Sequence, residues 1–328
     1  MAEGALWLTG ATGFAGRELL RQLRAAGCPW ASLGRRPPGT GGPWLRLGLE
    51  EAAASSAAGL AGRLEGAGLP PPAAFLHLAG WSRPGDCQRR ELRARLVNTV
   101  AAARLLEAMQ LAFPGTPSLL VSSAAVYAPS RRSLREEDPC RPRSVYGATK
   151  LQAEGAALGL RDRGLPVAAV RPFNHTGPDQ GPGFVLPDLA LRLARLEQAG
   201  GGVLETGSLE AVRDFLPVEA VVRAYRALLE RVPDFEVVNV CSGRGLAIRE
   251  LLDGLLRRVS VRVEVHSPRE RRRGAWDHDC LIGDPARLEA LLGWRPRLEL
   301  DALLDAVWEA ARQRVRQEEA APQPRTRP

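Results

Sequence analysis

The sequence predicts an α/β fold, a doubly wound parallel sheet with a smaller C-terminal lobe, and three observations carry that expectation. Short apolar runs of strand length alternate with stretches of 3.6-residue periodicity through the first half of the chain. A turn with glycines at intervals of three, Gly10, Gly13 and Gly16, joins the first apolar run to the first helical stretch. After Arg171 the alternation gives way to a long Gly/Pro connection and further helices.

Taken in order, periodicity predicts strands over 6–8, 30–33, 75–78, 118–122 and 167–170, with helices over 17–26, 92–109 and 146–159. Residues 34–42 and 70–72 read as Gly/Pro loops. Beyond a loop over 177–187, helices are predicted over 188–198, 217–230, 248–258 and 300–314, and a strand over 237–240. Residues 1–171 therefore read as the sheet domain, with segments at about 214–241 and 281–291 returning to it. Residues 172–213, 242–280 and 292–316 read as the smaller lobe, and the polar, proline-bearing 317–328 as a disordered tail.

Composition narrows the function classes. The chain has 328 residues, 45% hydrophobic and 25% charged, which is ordinary for a soluble protein of about two domains. No apolar run approaches the ~20 residues of a bilayer span, and the start has no basic leader, so no membrane partner and a cytoplasmic location are expected. Five cysteines without close pairing predict neither a disulfide framework nor a zinc site, and Asp277, His278, Asp279 and Cys280 read as a solvated turn. The net charge of +8 is spread along the chain and aromatic residues are only 5%, which argues against nucleic acid as a partner. An anionic small substrate fits the charge instead.

Lysine usage is more informative. Of 45 basic residues only Lys150 is a lysine, so an ammonium is specifically required there. Tyr146 lies four residues earlier, on the same helix face. A free tyrosine titrates near ~10, and a neighbouring ammonium draws that value towards neutrality. Ser123 follows a strand, where its hydroxyl could hold a carbonyl oxygen while the tyrosine delivers a proton. Singly, Tyr146 also reads as a packed aromatic and Ser123 as a turn residue. The coincidence of all three with the glycine turn points to a proton-transfer site.

The turn itself, Thr9-Gly10-Ala11-Thr12-Gly13-Phe14-Ala15-Gly16, brings backbone amides to a helix N-terminus and suits a pyrophosphate. The second strand ends in Gly34-Arg35-Arg36, with no acidic residue to bind a ribose 2′-hydroxyl. Arg35 and Arg36 suit a 2′-phosphate, which favours NADP over NAD; two solvated loop arginines are the structural alternative.

On these motifs, together with HLAG at His77–Gly80, Asn98, VSSAAVY at 121–127 and YGATK at 146–150, the chain resembles the extended short-chain dehydrogenase/reductase family over about residues 5–315. The resemblance implies a Rossmann-type NADP-binding domain and a homodimer. It makes Tyr146 the catalytic acid, Lys150 its activator and Ser123 the carbonyl-positioning residue. Gly10, Thr12, Gly13, Phe14, Ala15, Gly16, Leu78, Ala79, Gly80, Asn98, Tyr146, Lys150, Phe173 and His175 then hold the cofactor. RPFNHTGPDQ at 171–180, RDFLPVEAVVRAY from Arg213 and GWRP from Gly293 are most similar to the GDP-4-dehydro-6-deoxy-D-mannose reductase branch. That implies substrate contacts from Ser123, Ala124, Asn174, Arg213 and Arg273, with Arg213 as a partner of Asp214 and Asn174 as a loop cap the structural alternatives.

Two alanines narrow the reaction within this resemblance. Dehydratases of the family carry an acid two places after the serine, where this chain has Ala125, and fucose-type epimerase-reductases carry a cysteine at the place of Ala124. What remains is reduction of the 4-keto group of a nucleotide-linked 4-keto-6-deoxy sugar by NADPH, without a metal. A nucleotide-sugar 4-epimerase and a non-catalytic dinucleotide sensor stand as alternatives. The chain departs from the family in Leu47-Gly48-Leu49, where an adenine-contacting acid is common, and in Gly274, where an arginine is common.

Overall fold

A computed structural model of the chain describes residues 4–267 and 278–320. Its first part runs β1 (Ala5–Thr9), α1 (Phe14–Ala25), β2 (Trp30–Gly34), β3 (Trp44–Arg46), α2 (Leu49–Ala54), α3 (Ala57–Glu65) and β4 (Pro72–His77). Then come α4 (Pro84–Arg89), α5 (Glu91–Arg95), α6 (Ala101–Ala112), β5 (Ser118–Val121), α7 (Val145–Arg161) and β6 (Val167–Pro172). The remainder is β7 (Asn174–Thr176), α8 (Val185–Gln198), β8 (Gly202–Glu205), β9 (Val212–Pro217), α9 (Val218–Leu229), β10 (Val237–Val240) and β11 (Gly245–Ala247). It closes with α10 (Ile248–Leu256), β12 (Val263–His266), β13 (Cys280–Leu281), α11 (Ala286–Leu292) and α12 (Leu300–Ala320).

The expected doubly wound sheet is present. Seven parallel strands lie in the order β10-β6-β5-β4-β1-β2-β3. Its strands are buried on both faces, which is why they read as apolar runs rather than alternating ones. On one face Leu6, Leu8, Leu119 and Val121 meet Leu19 and Leu23 of α1 and Val221, Val222 and Tyr225 of α9. On the other, Trp7, Phe75 and Leu120 meet Leu60 of α3, Leu105 of α6 and Ala153 of α7. The strand order reverses between β1 and β4, so a crevice opens beyond their C-terminal ends. β10 joins the sheet edge beside β6 after the chain has left to build the smaller lobe.

In that lobe β9 is flanked by antiparallel β11 and parallel β13, and by β7 along its last residues. Helices α8, α10 and α12 close a separate core around Leu189, Leu193, Leu252, Leu304 and Trp308. α12 continues to Ala320, so residues 317–320, read from composition as part of a tail, form its last turn.

One predicted helix is interrupted. The stretch expected to be helical over 92–109 is α5, a wide π turn over Leu96–Val100, and α6. The turn carries Asn98, whose amide accepts from the Trp81 N–H (2.7 Å) and donates to the Trp81 carbonyl (3.1 Å) and Thr149 Oγ1 (3.0 Å). An extra residue in the turn thus brings one amide to both a loop and α7, a tertiary demand that helical periodicity cannot show.

α7 is held from several sides. Ser144 caps it through the Gly147 N–H (3.0 Å), and a Cβ on Gly147 would lie 2.3 Å from the Ala125 carbonyl oxygen. Further along, Glu154 forms a buried ion pair with Arg171 of β6. Arg171 also donates to the Tyr127 hydroxyl (2.9 Å) and lies 4.7 Å from its ring centroid, and that hydroxyl donates to Asn239 of β10 (2.7 Å). Replacing Glu154 with Ala leaves the guanidinium without a counter-charge. The expected loss is about 3–5 kcal/mol in chemical denaturation, and a loss below about 1 kcal/mol would show that the pair does not anchor the helix.

Candidate active site

The C-terminal ends of β1, β2, β4, β5 and β6 open into one large cleft of about 2320 Å³ between the sheet and the smaller lobe. Single-ligand pockets hold roughly 300–1,000 Å³, so the space suits two ligands side by side. The glycine turn forms its floor on the β1 side. Gly10 has φ +76°, and a Cβ there would lie 2.9 Å from the Ala79 nitrogen; a Cβ on Gly16 would lie 2.1 Å from the Gly10 carbonyl oxygen. Glycine is thus required at both places by backbone contact, and the N-terminus of α1 is left open towards the cleft.

Ser123, Tyr146 and Lys150 converge beyond β5. The Lys150 ammonium is buried and donates to the Val121 carbonyl (2.8 Å), and a Cβ on Gly80 would lie 3.5 Å from Nζ. Burial lowers its pKa from 10.5 to about 8. Tyr146 is half-buried and hydrogen-bonded by the Ser123 side chain. Burial raises its phenol above the ordinary value, and the Ser123 bond offsets only part of that rise. In the ligand-free chain this direction is opposite to the one that spacing alone suggests. The ammonium bonds a strand-end carbonyl, and burial outweighs the Ser123 bond at the phenol. His77, the last residue of β4, is hydrogen-bonded to Thr9 Oγ1 (3.0 Å) through Nδ1. Burial, then the neighbouring Lys150, lowers its pKa to about 3, so it stays neutral under the ammonium.

The residues named from sequence gather here. Gly10, Thr12, Gly13, Phe14, Ala15, Gly16, Arg35, Arg36, Leu78, Ala79 and Gly80 all line the cleft. So do Ser123, Ala124, Tyr146, Lys150, Phe173, Asn174, His175 and Arg213. Asn98 is the exception: it is buried behind Trp81 and supports the loop rather than facing a ligand. Arg273, Gly274 and Asp277 lie outside the described residues. On β9 the side chains of Arg213 and Asp214 alternate. Asp214 accepts from the Ser242 N–H (2.9 Å), Ser242 hydroxyl (2.6 Å) and Gly243 N–H (2.9 Å), away from the cleft, whereas Arg213 lines it and donates to the Val212 and His278 carbonyls. The structural alternative of an Arg213–Asp214 pair is therefore not what forms.

Arg35 and Arg36 are exposed at the rim beyond β2 and enter no ion pair among the described residues. Glu50 lies at the same rim, but Arg93 engages its carboxylate (2.7 and 3.2 Å) and holds it below the usual range. Sequence reasoning missed several wall residues, among them Ser32, Ser122, Thr176, Gln180, Arg192 and Tyr225. The Ser32, Ser122, Thr176 and Tyr225 hydroxyls and Gln180 Oε1 are buried without a hydrogen-bond partner. In the sequence they read as strand-end and helix-core residues, which carry no motif.

A glycine turn under an open helix N-terminus, facing a Ser–Tyr–Lys set across one cleft, defines the class: a nicotinamide-dinucleotide enzyme of the short-chain dehydrogenase/reductase type. The model of the NAD-dependent epimerase/dehydratase family matches residues 6–241, and the chain belongs to that family. It is 33% identical to a GDP-6-deoxy-D-mannose reductase of Pseudomonas aeruginosa, over 95% of this chain and 99% of the relative. A UDP-glucose 4-epimerase of Streptomyces lividans is 28% identical over 71% of this chain and 74% of its own. Among solved structures, RMD from Pseudomonas aeruginosa complexed with NADPH superposes with a TM-score of 0.80 at 31% identity, covering 95% and 99% of the two chains. No helix among the described residues is long and apolar enough to cross a membrane.

The depressed Lys150 pKa has a stability consequence of definite sign. Below about pH 8 the ammonium is charged in both the folded and unfolded chain, and its burial penalty is present in full. Between about 8 and 10.5 the unfolded chain binds the extra proton, so stability rises with pH. Relative to a Lys150→Met variant, the ligand-free parent should gain about 3 kcal/mol across that window in urea melts; a flat difference would show that the ammonium pays no burial penalty.

Proposed function

We propose that the protein reduces the 4-keto group of a nucleotide-linked 4-keto-6-deoxy sugar with NADPH, the substrate being of the GDP-4-dehydro-6-deoxy-mannose type. The observation that carries the reading is the turn after Ser123. It presents Ala125 to the cleft near Tyr146, with neither a carboxylate nor a thiol on residues 123–126 to remove a carbon-bound proton. Simple hydride addition to a ketone needs only the donor and an acid. The likeness over almost the whole chain to a GDP-6-deoxy-D-mannose reductase supports the same class.

The cofactor supplies the hydride. The chain's residues do the rest. Ser123 positions the ketone oxygen for Tyr146, and the raised phenol pKa keeps that proton in place until negative charge develops on the substrate. Lys150 sets a positive charge beside the reacting groups, and the amides at the start of α1 suit the dinucleotide's pyrophosphate. Arg213 and Arg192 line the far wall and suit a nucleoside diphosphate, while Arg249 beside them is paired with Glu210 (3.1 Å). Arg35 and Arg36 favour the 2′-phosphate of NADPH.

The relatives include 4-epimerases, which need the same Ser–Tyr pair. Purified protein that carries tightly bound NAD, and consumes no NADPH with a 4-keto sugar, would favour that reading. The intact Ser123–Tyr146–Lys150 set weighs against a non-catalytic sensor. A homodimer also belongs to the proposal. Leu92 and Leu96 lie one helical turn apart and are 80% and 47% exposed, an apolar pair that a second copy would cover. Charge at both places, as in Leu92→Arg with Leu96→Glu, should yield a monomer in light scattering; a parent that is itself monomeric refutes the dimer.

Tyr146→Phe should lower turnover by about 100- to 10,000-fold while NADPH binding is retained, and near-parental turnover would remove the tyrosine from the reaction. Arg35→Ala with Arg36→Ala should cut kcat/KM for NADPH by about 10- to 100-fold and leave that for NADH nearly unchanged. Product configuration from a 4-keto-6-deoxy sugar on GDP or dTDP, read by NMR, decides the substrate.

A further inference from the structure

The basic rim beyond β2 contains an opposing charge. Glu50, in the first turn of α2, lines the cleft together with Arg35 and Arg36. The Arg35 stem runs over the start of that helix, since a Cβ on Gly48 would lie 3.4 Å from Arg35 Cγ. Its guanidinium is near enough to act electrostatically on the Glu50 carboxylate. The hydrogen bonds of that carboxylate go elsewhere. Arg93 of α5 donates to Glu50 Oε1 from Nη2 (2.7 Å) and from Nε (3.2 Å).

Arg93 is not a wall residue of the cleft, and its guanidinium lies 4.9 Å from the centroid of the Trp81 ring. The charges next to the pair are committed to other partners. Glu91 meets Arg95 (2.7 Å), while Glu51 meets Arg63 (2.7 Å) and the Gly48 N–H (3.1 Å). Two cations thus contend for one carboxylate, and Arg93 holds it. Were Glu50 to turn to Arg35 instead, the rim would lose a cation and set a negative charge within the phosphate's reach. A phosphate monoester carries about −1.5 to −2 charge at neutral pH, so it is sensitive to both changes. A carboxylate released there would also accept from a ribose 2′-hydroxyl, the group that NADH has in place of the phosphate. The direction in which Glu50 is held therefore bears on which cofactor is chosen.

We infer that Arg93 is a positioning residue for cofactor selection: by holding the Glu50 carboxylate it leaves Arg35 to the 2′-phosphate of NADPH. This rests on the NADPH reading proposed above and sets part of its selectivity on α5, behind the cleft wall. Arg93 touches no cofactor atom in this role. It acts through Glu50.

Steady-state kinetics with both cofactors test it in two variants. Arg93→Met keeps an apolar stem against Trp81 and removes the charge. The side chains of the pair are 45% and 40% exposed, and such pairs contribute little to stability, so the variant should melt with the parent. Its kcat/KM for NADPH should fall about 3- to 10-fold, through KM rather than kcat, while that for NADH does not fall. Adding Glu50→Gln should restore NADPH use to within about twofold of the parent, because an amide neither neutralises Arg35 nor repels the phosphate. A loss that Glu50→Gln does not restore, an equal loss for both cofactors, or no loss would overturn the assignment and leave the NADPH reading standing. A parent that prefers NADH would refute that reading and the role of Arg93 with it. Should Arg93→Met fail to fold, Arg93→Gln, with and without Glu50→Gln, decides between the same outcomes.

Discussion

The site is organised around one buried ammonium. Lys150 reaches from α7 across the end of β5, with the Val121 carbonyl as its hydrogen-bond partner in the ligand-free protein. A cation in such a place is tolerated only if its neighbours are arranged for it. Gly80 has no side chain where Nζ approaches, and His77 beneath is kept neutral. Burial holds the Cys87 thiol up at about 11, so no thiolate competes for the charge. The remaining N–H groups of the ammonium are left for a ligand, and ribose hydroxyls suit them.

Placing that ammonium is a problem in positioning α7, and distant residues solve it. Asn98 ties the π turn to Thr149, Ser144 caps the helix, and Glu154 meets Arg171 one turn beyond the lysine. Arg171 is linked through Tyr127 to Asn239 of β10, the strand that returns to the sheet after the smaller lobe has been built. The edge strand of the sheet and the helix that carries the acid thus share a buried polar network. Such a network specifies one arrangement when all its members are bonded and is costly when one is missing.

The sheet was legible because strands buried on both faces are written as apolar runs and the glycine turn fixes where the first helix starts. Tyr146 and Lys150 were legible through their spacing and the rarity of lysine in this chain. What the sequence hid was contact across long separations. β7, β9, β11 and β13 are short, and their pairing depends on neighbours dozens of residues away. The π turn follows from an amide's bonds to a distant loop. Tyr225 falls on the apolar face of an amphipathic helix and reads as core, which its ring is; only the burial of its hydroxyl without a partner sets it apart. The direction of the Tyr146 shift was likewise hidden, since spacing on a helix says that two side chains share a face but not which atom each one bonds.

Reaction type in such a site is set as much by what is missing as by what is present. A carboxylate at position 125 would face the cleft beside Tyr146, and its charge would raise the phenol further while offering a base to carbon-bound protons. Ala125 leaves Tyr146 as the titrating group on that wall. Ala124 is buried in a cluster with Tyr127 and Phe173 and offers no thiol to the cleft it borders. With an acid that holds its proton and no base within the turn, hydride addition is favoured over abstraction, because only the first needs nothing more from the protein.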